Sequence, residues 1–394
     1  MTEMTINDLL TQEVKSTPHA FYARLRSTEP IIYIEGLDAW LLTTYEDALW
    51  LLKDPRFTKD RRKLAELEEH RDETWGTFDL RTLLMVDPPD HTRLRHLVSK
   101  AFSPRMIEHQ RSHIQQITND LLDAVQAQGA MDLIADFAYP LPLTVISDLL
   151  GIPVADRQQF RGWTQAMVDL TTERQQRTDA IQQFLNYIKI LLDEKRAHPD
   201  DDLTSGLVQA EENGDQLNEN ELISMLILLI IAGHETTVNL VGNGTLALLQ
   251  HPDQLYLLQQ DPELLPGAVE ELLRYTSPVS LSDERWASED IEWHGKLIRK
   301  GQQVLAALIS ANADPQHIQA GEILDITRRK NQHLAFGKGI HACLGAPLAR
   351  LEGQIAFGTL LRRLPKLRLA GDPTHLGWKR NPILRGVTSL PVIF

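Results

Sequence analysis

The chain holds one cysteine, Cys343, in the run Phe336-Gly337-Lys338-Gly339-Ile340-His341-Ala342-Cys343-Leu344-Gly345. With no second thiol there is no internal disulfide, and the sulfur reads as a ligand or a nucleophile. Residues 344 to 361 carry an apolar stripe at helical spacing through Ala346, Leu348, Ala349, Leu351, Ala356, Leu360 and Leu361. That spacing puts Cys343 at a helix N-terminus. There the free backbone N–H groups and the macrodipole favour thiolate over thiol. Gly337, Gly339 and Gly345 let backbone and a flat ligand come close to the sulfur. A thiolate so placed suits a haem iron, toward which it pushes electron density that favours O–O cleavage. A small buried cysteine packed as a hydrophobe is the plain alternative; the glycines, His341 and the following helix weigh against it. A zinc site using His333, His341 and Cys343 lacks a fourth ligand at zinc-like spacing. A cysteine protease lacks a recognisable base and orienting partner.

Three further groups carry chemistry-bearing types. Residues 218 to 250 read as one helix of ~48 Å, apolar nearly all round from Leu222 to Ile231. Gly233-His234-Glu235-Thr236-Thr237 interrupts its apolar middle. An acid and two hydroxyls there are costly unless they bond back to the helix or serve a reaction. Glu271 and Arg274 are i, i+3 on one helix and can pair. His91 and Arg95 are i, i+4 and share a face. Gly242-x-Gly244-x-x-Ala247 matches a loose dinucleotide fingerprint, but no strand precedes it, so those glycines read as close helix packing.

Together these residues resemble the cytochrome P450 superfamily, the haem-thiolate monooxygenases. Phe336-x-x-Gly339-x-His341-x-Cys343-x-Gly345 resembles its haem-binding loop. Ala232 to Thr237 resembles its oxygen-activating helix, and Glu271-Leu272-Leu273-Arg274 its Glu-x-x-Arg helix. Asp87-Pro88-Pro89-Asp90-His91-Thr92-Arg93-Leu94-Arg95 resembles a propionate-binding segment of the bacterial members. Among bacterial members the chain is most similar to the branch that hydroxylates polyketides and macrolides.

The resemblance implies haem b with Cys343 as axial ligand. It implies propionate contacts from His91, Arg95, Arg285 and His341, and haem contacts from Phe336, Gly337, Gly345, Ala232 and Gly233. Thr236 and Glu235 would steady oxygen and relay the two protons that its cleavage needs. His234 would line the pocket or serve the helix. Glu271, Arg274 and Arg328 would form a buried network supporting the cysteine loop. The substrate pocket would draw on the loop at 75–85 with Trp75 and Phe78, on residues 163–170, and on Leu229, Val279, Ser280, Leu281, Ile383 and Leu384. These are mostly apolar, so the substrate would be an apolar molecule: polyketide- or macrolide-like, fatty acid, terpenoid or steroid. Peroxygenase activity and a non-catalytic haem sensor or carrier are the rival readings; the Glu235-Thr236 pair argues against both.

The chain shows no flavin domain and no nicotinamide site, so electrons from NAD(P)H would arrive through a ferredoxin or flavodoxin and its reductase. Lys338, Arg350, Arg362, Arg363 and Lys366 form a basic cluster around the cysteine loop in a chain of net charge −14. Such a patch suits an acidic donor, while the overall charge argues against nucleic-acid binding. The first residues lack a basic region followed by an apolar core, and the most apolar run, Met225 to Ala232, is shorter than a membrane span. A cytoplasmic monomer with no membrane anchor is the expectation.

At 394 residues and 42% hydrophobic, the chain can build a sizeable core. No linker or repeat divides it, so 1–394 reads as one domain. Helices are expected over 18–27, 45–53, 104–128, 141–150, 156–171, 178–196 and 262–275. Strands are expected at 31–34, 39–43 and 386–394, with a β region at 279–306 turning at Gly295 and Gly301. The fold class is mainly α: a cytochrome P450 fold with a large helical lobe, a long central helix and a small β lobe.

Overall fold

The computed structural model describes residues 4–64, 81–168, 172–212 and 215–394. Trp75, Phe78 and Leu170 lie outside them. The chain divides into two compact units. One comprises 1–58, 113–140 and 236–394; the other comprises 59–112 and 141–235.

The first unit holds the five-stranded and the three-stranded sheets. Ile31–Ile34 pairs antiparallel with Ala39–Leu42, Ile31 opposite Leu42. Gln303–Ala306 runs parallel to that second strand. Arg285–Ala287 and then Phe57–Thr58 complete the five-stranded order. Apolar side chains from the sheet, among them Ile31, Leu42, Val304 and Ala306, pack with Tyr45, Ala48 and Leu51 of the helix Tyr45–Lys53. Thr44 caps that helix by accepting the N–H of Asp47. The turns at Gly295 and Gly301 have φ of 71° and 84°, a region that disfavours side chains. Only Pro391–Ile393 of the expected last strand is β; it lies between Ala130–Asp132 and Arg368–Leu369 in a three-stranded sheet.

In the same unit the second half of the long helix, Glu219–Gln250, packs without room for side chains at its glycines. A Cβ on Gly242 would lie 2.5 Å from Ile134 Cδ1, and one on Gly244 would lie 2.5 Å from the Phe357 ring. These glycines serve packing, as the missing strand context indicated. The run Met225 to Ala232 understates the whole helix, which by length and composition is sufficient to cross a membrane. However, 67% of its most apolar stretch is buried inside the fold, as in a core helix.

The second unit contains the helices Asp90–Ala101, Arg157–Val168 and Arg174–Ala197. The last two meet through Phe160 on Phe184 and Trp163 on Tyr187, ring centroids 5.5 Å apart in both pairs. The helix expected from 104 to 128 is two helices, Pro104–His109 and Arg111–Gln126. Ser103 starts the first by accepting the N–H of Met106. The Gln110 N–H then bonds to Ile107 O, an i−3 contact that tightens and ends that turn. The helix expected from Pro262 likewise opens with a 3₁₀ turn, Pro262–Leu264, before Leu265–Thr276 becomes α-helical.

Candidate active site

Cys343 is exposed and lies two residues before Gly345, the N-cap of the helix Ala346–Arg363. Its loop is held by backbone bonds: the Gly337 N–H donates to Leu334 O (2.8 Å) and the Cys343 N–H to Phe336 O (2.9 Å). Gly337 and Gly339 have φ of 65° and 77°. A Cβ on Gly339 would also stand 2.6 Å from the carbonyl oxygen of Leu52. Both glycines are therefore demanded by the loop itself.

Arg350, in the second turn of the following helix, forks onto Glu270 at 2.7 and 2.8 Å and lies 4.6 Å above the half-buried Phe336 ring. Glu270, and then the charge of a Cys343 thiolate, hold the Arg350 guanidinium above its usual pKa. By reciprocity Arg350 favours the thiolate. Burial would raise the Glu270 carboxyl, but Arg350 and His333 bring it down to about 2. His333 accepts from the Ala335 N–H at Nδ1 and meets Glu270 at Nε2 (3.2 Å), so neither nitrogen serves a zinc ion. Among the described residues no group of three or more His, Cys, Asp or Glu could hold a metal ion. An exposed sulfur at a helix start, beside a cation, on a loop whose glycines present no side chain, fits a flat macrocycle bound through its iron.

Behind the loop, Glu271 and Arg274 are fully buried and joined by two bonds of 2.7 Å. Arg328 Nε (3.1 Å), Asn331 Nδ2 (2.9 Å) and the Asp325 N–H (2.9 Å) also donate to Glu271. Arg274 donates in addition to the carbonyls of Asn312, Gly321 and Ile323. The geometry brings the three predicted residues together and adds Asn331 and Asp325. The segment 325–331, which leads into the cysteine loop, is thus fastened to the Glu271 helix.

Within the long helix, the first unit holds Thr236, half-buried, and Thr237, 2% exposed. Thr237 donates to Glu352, a residue of the cysteine-loop helix that is 1% exposed. Burial pushes the Glu352 carboxyl up to about 8, against the pull of Thr237. It therefore holds its proton at neutral pH and can donate as well as accept. In the second unit, Glu235 is buried and Ala232 exposed. His234 is fully buried, with Nδ1 2.8 Å from Ile230 O, so it serves the helix. A Cβ on Gly233 would stand 3.2 Å from Ile146, so this glycine also serves helix packing.

The donor residues expected for propionates fall in both units. Arg285 of the first is buried in the strand Arg285–Ala287, and His341 is half-buried in the cysteine loop. His91 and Arg95 of the second share the helix Asp90–Ala101. Burial, then the charge of Arg95, lowers the His91 pKa, so this imidazole is a neutral donor at pH 7.

Of the expected pocket residues in the first unit, Val279 bridges Leu384 and the Ser280 N–H donates to Ile383 O (2.7 Å). Val279, Ile383 and Leu384 are half-buried, whereas Ser280 is buried. Leu281, 1% exposed, packs with Ile34, Leu41 and Leu305 in a core cluster. Leu229 of the second unit is half-buried.

The basic cluster is smaller than its sequence suggests. Arg350 is committed to Glu270, and Arg363 pairs with Asp123 and donates to Asn119 O (3.1 Å). Lys338, Arg362 and Lys366 remain exposed.

The family model described as "Cytochrome P450" matches residues 164–368. The cytochrome P450 CYP107DY1 of Priestia megaterium is 50% identical, with 100% of each chain covered. The polyketide biosynthesis cytochrome P450 PksS of Bacillus subtilis is 47% identical over 97% of this chain and 96% of its own. Its solved structure superposes with a TM-score of 0.92, covering 98% of both chains. A myxobacterial cytochrome P450, CYP267B1, solved in complex with myristic acid, is 44% identical with a TM-score of 0.90, again covering 98% of both chains.

Proposed function

The chain belongs to the cytochrome P450 family and has its fold and its monooxygenase class, and from that premise we propose that it hydroxylates an extended apolar substrate of polyketide or fatty-acyl type. The observation that carries the reading is the exposed Cys343 sulfur, set at a helix start beside Arg350 in a loop shaped by Gly337 and Gly339. The apolar character of Leu229, Val279, Ile383 and Leu384 supports the substrate class, as does similarity to a polyketide-biosynthesis enzyme and to one solved with myristic acid.

When bound, haem b supplies dioxygen activation through its iron. Cys343 would hold that iron as thiolate, kept ionised by Arg350 and the helix N-terminus. Phe336, Gly337, Gly345, Ala232 and Gly233 would flank the macrocycle. Arg285 and Arg95 as cations, and His91 and His341 as donors, would hold its carboxylates. Thr236 would supply a hydroxyl donor and Glu235 a carboxylate able to pass protons to the oxygen chemistry that the haem supplies. The whole chain would act as one cytoplasmic, monomeric catalytic domain, with electrons from NAD(P)H delivered by a ferredoxin or flavodoxin and its reductase.

The reduced carbon-monoxide complex tests the ligand. The wild type is expected to show the red-shifted Soret band of thiolate ligation, and Cys343→Ser to lose it. Retention of the band in Cys343→Ser removes Cys343 from the iron. Thr236→Ala keeps a good helix former, so haem loading should survive. NADPH consumption should continue while product falls and hydrogen peroxide accumulates; an unchanged ratio of product to NADPH takes this hydroxyl out of the reaction. Donor docking is assigned to the exposed Lys338, Arg362 and Lys366. Charge reversal at Lys338 and Arg362 should slow reduction by ferredoxin and flatten its salt dependence, and an unaltered slope places docking on another face.

A further inference from the structure

A cavity of about 400 Å³ lies within the first unit. That volume is in the range of small-ligand sites. Its wall contains the start of the helix Pro18–Thr28, the late turns of the long helix, Tyr275, and the segment around Trp378 and Arg385.

The charge around this cavity is one-sided. Arg385, 7% exposed, lines it and among the described residues donates only to backbone carbonyls: Lys15 O (2.8 Å), Thr276 O (3.1 Å) and Ser16 O (3.5 Å). Lys15, 4% exposed, likewise spends its ammonium on the carbonyls of Asn381 and Leu384. Among the described residues neither cation has a carboxylate partner. The one acid in the wall, Glu322, is taken by Arg26 at 3.1 Å. His19 registers the resulting field: burial, and then Arg385, push its imidazole down to about 3. Buried cations without counter-charges are costly, and an arriving anion relieves that cost.

The wall also supplies donors. Thr17, the N-cap of Pro18–Thr28, makes no side-chain capping bond, and its hydroxyl donates to Glu13 O (3.0 Å). The first amides of that 11-residue helix, at His19 and Ala20, are thus left for an acceptor at the cavity. Trp378, 8% exposed, lines the cavity under the Arg385 guanidinium at 4.2 Å, and among the described residues its indole N–H has no acceptor. Leu246, Tyr275 and the Trp378 ring give the remaining wall an apolar, flat character.

We propose that this cavity is a binding site for a small organic carboxylate with a flat apolar body, its carboxylate held by Arg385, Trp378 and the start of the Pro18–Thr28 helix. The site is separate from the cysteine loop. It backs the segment carrying Ile383 and Leu384, to which Lys15 is bonded.

Isothermal titration of the haem-loaded full chain with benzoate, benzyl alcohol and inorganic phosphate tests the assignment. Benzoate is expected to saturate one site without altering the haem absorption spectrum. Benzyl alcohol, which lacks the charge, and phosphate, which lacks the ring, should each bind at least ~tenfold more weakly. Ala20→Glu places an acid at an exposed helix start, where it is compatible with folding, and should weaken benzoate ~tenfold or more. Trp378→Phe removes the N–H while keeping a ring, and should weaken it in the same direction. Unaltered benzoate affinity in both variants overturns the proposal. So does a haem spectral shift that tracks benzoate binding, equal affinity for either control, or no saturation below about 10 mM.

Discussion

Arg274→Ala is expected to destabilise the protein by ~3–5 kcal/mol, because it strands the Glu271 carboxylate at zero exposure with its main partner gone. Among the described residues the remaining donors to Glu271 are two side chains and one amide, and Arg328 is the only other cation among them. Glu271→Ala should cost about as much for the converse reason. It leaves Arg274 buried on backbone carbonyls and releases the Asp325 N–H and Asn331 together. Those residues anchor the approach to the cysteine loop, so reduced thiolate signal in the carbon-monoxide complex should accompany the lower denaturation midpoint. Arg328→Ala should cost less, since its side chain is 12% exposed and water can replace it in part. The double variant Glu271→Met, Arg274→Met should be more stable than either alanine variant, because neither member of the fully buried pair is left charged without the other. Chemical denaturation of the haem-loaded chains decides it. Single alanine variants within ~1 kcal/mol of wild type would mean that the buried pair does not hold this region.

That pair was legible in the sequence because i, i+3 spacing is a local rule. The reach to Asn331 and Asp325 was not, because it depends on the chain folding back over more than fifty residues. The cysteine loop was legible for a related reason: one thiol, glycines at strained φ, and an apolar stripe behind it each carry a local signal. The basic cluster was over-read. Arg350 and Arg363 look free in sequence, yet their acids, Glu270 and Asp123, come from distant segments. The break at Gln110 carries no glycine or proline to announce it. Leu281 and Gly233 are assigned to pocket and haem by family pattern, while local packing alone accounts for both residue types. Glu352 was missed outright. Charged residues in a helix normally mark the solvated face, but Leu351, Gly353, Ile355, Ala356 and Phe357 around it are all buried. The available signal was an acid enclosed by apolar residues on a helix buried on several sides.

Glu352 gives the second large effect, one that depends on pH. Its carboxyl rises from the ordinary 4.5 to about 8 in the fold. Below pH 4.5 the folded and unfolded chains both hold the proton, and burial carries no ionisation cost. Between 4.5 and 8 the unfolded chain has lost it while the folded chain keeps it, so folding takes up a proton. Stability then falls with rising pH by up to ~1.4 kcal/mol per unit across this window. Above 8 both states are ionised and the slope ends, leaving a buried charge whose main partner is the Thr237 hydroxyl. Glu352→Gln is neutral throughout and keeps an oxygen to accept from Thr237. The stability of this variant relative to wild type should therefore be nearly constant below pH 4.5, grow in its favour from pH 5 to 8, and level off beyond. Denaturation midpoints of both proteins at pH 5, 6, 7 and 8 measure the difference. Parallel curves would show that Glu352 is already ionised in the fold at pH 5. A widening gap identifies a carboxyl that carries a proton at neutral pH, bonded to the hydroxyl next to Thr236. If that proton also serves turnover, Glu352→Gln should slow product formation at pH 7 while Thr237→Val, which removes only the link, slows it to a similar degree. Loss in the first variant alone would assign the effect to the carboxyl without the hydroxyl between them.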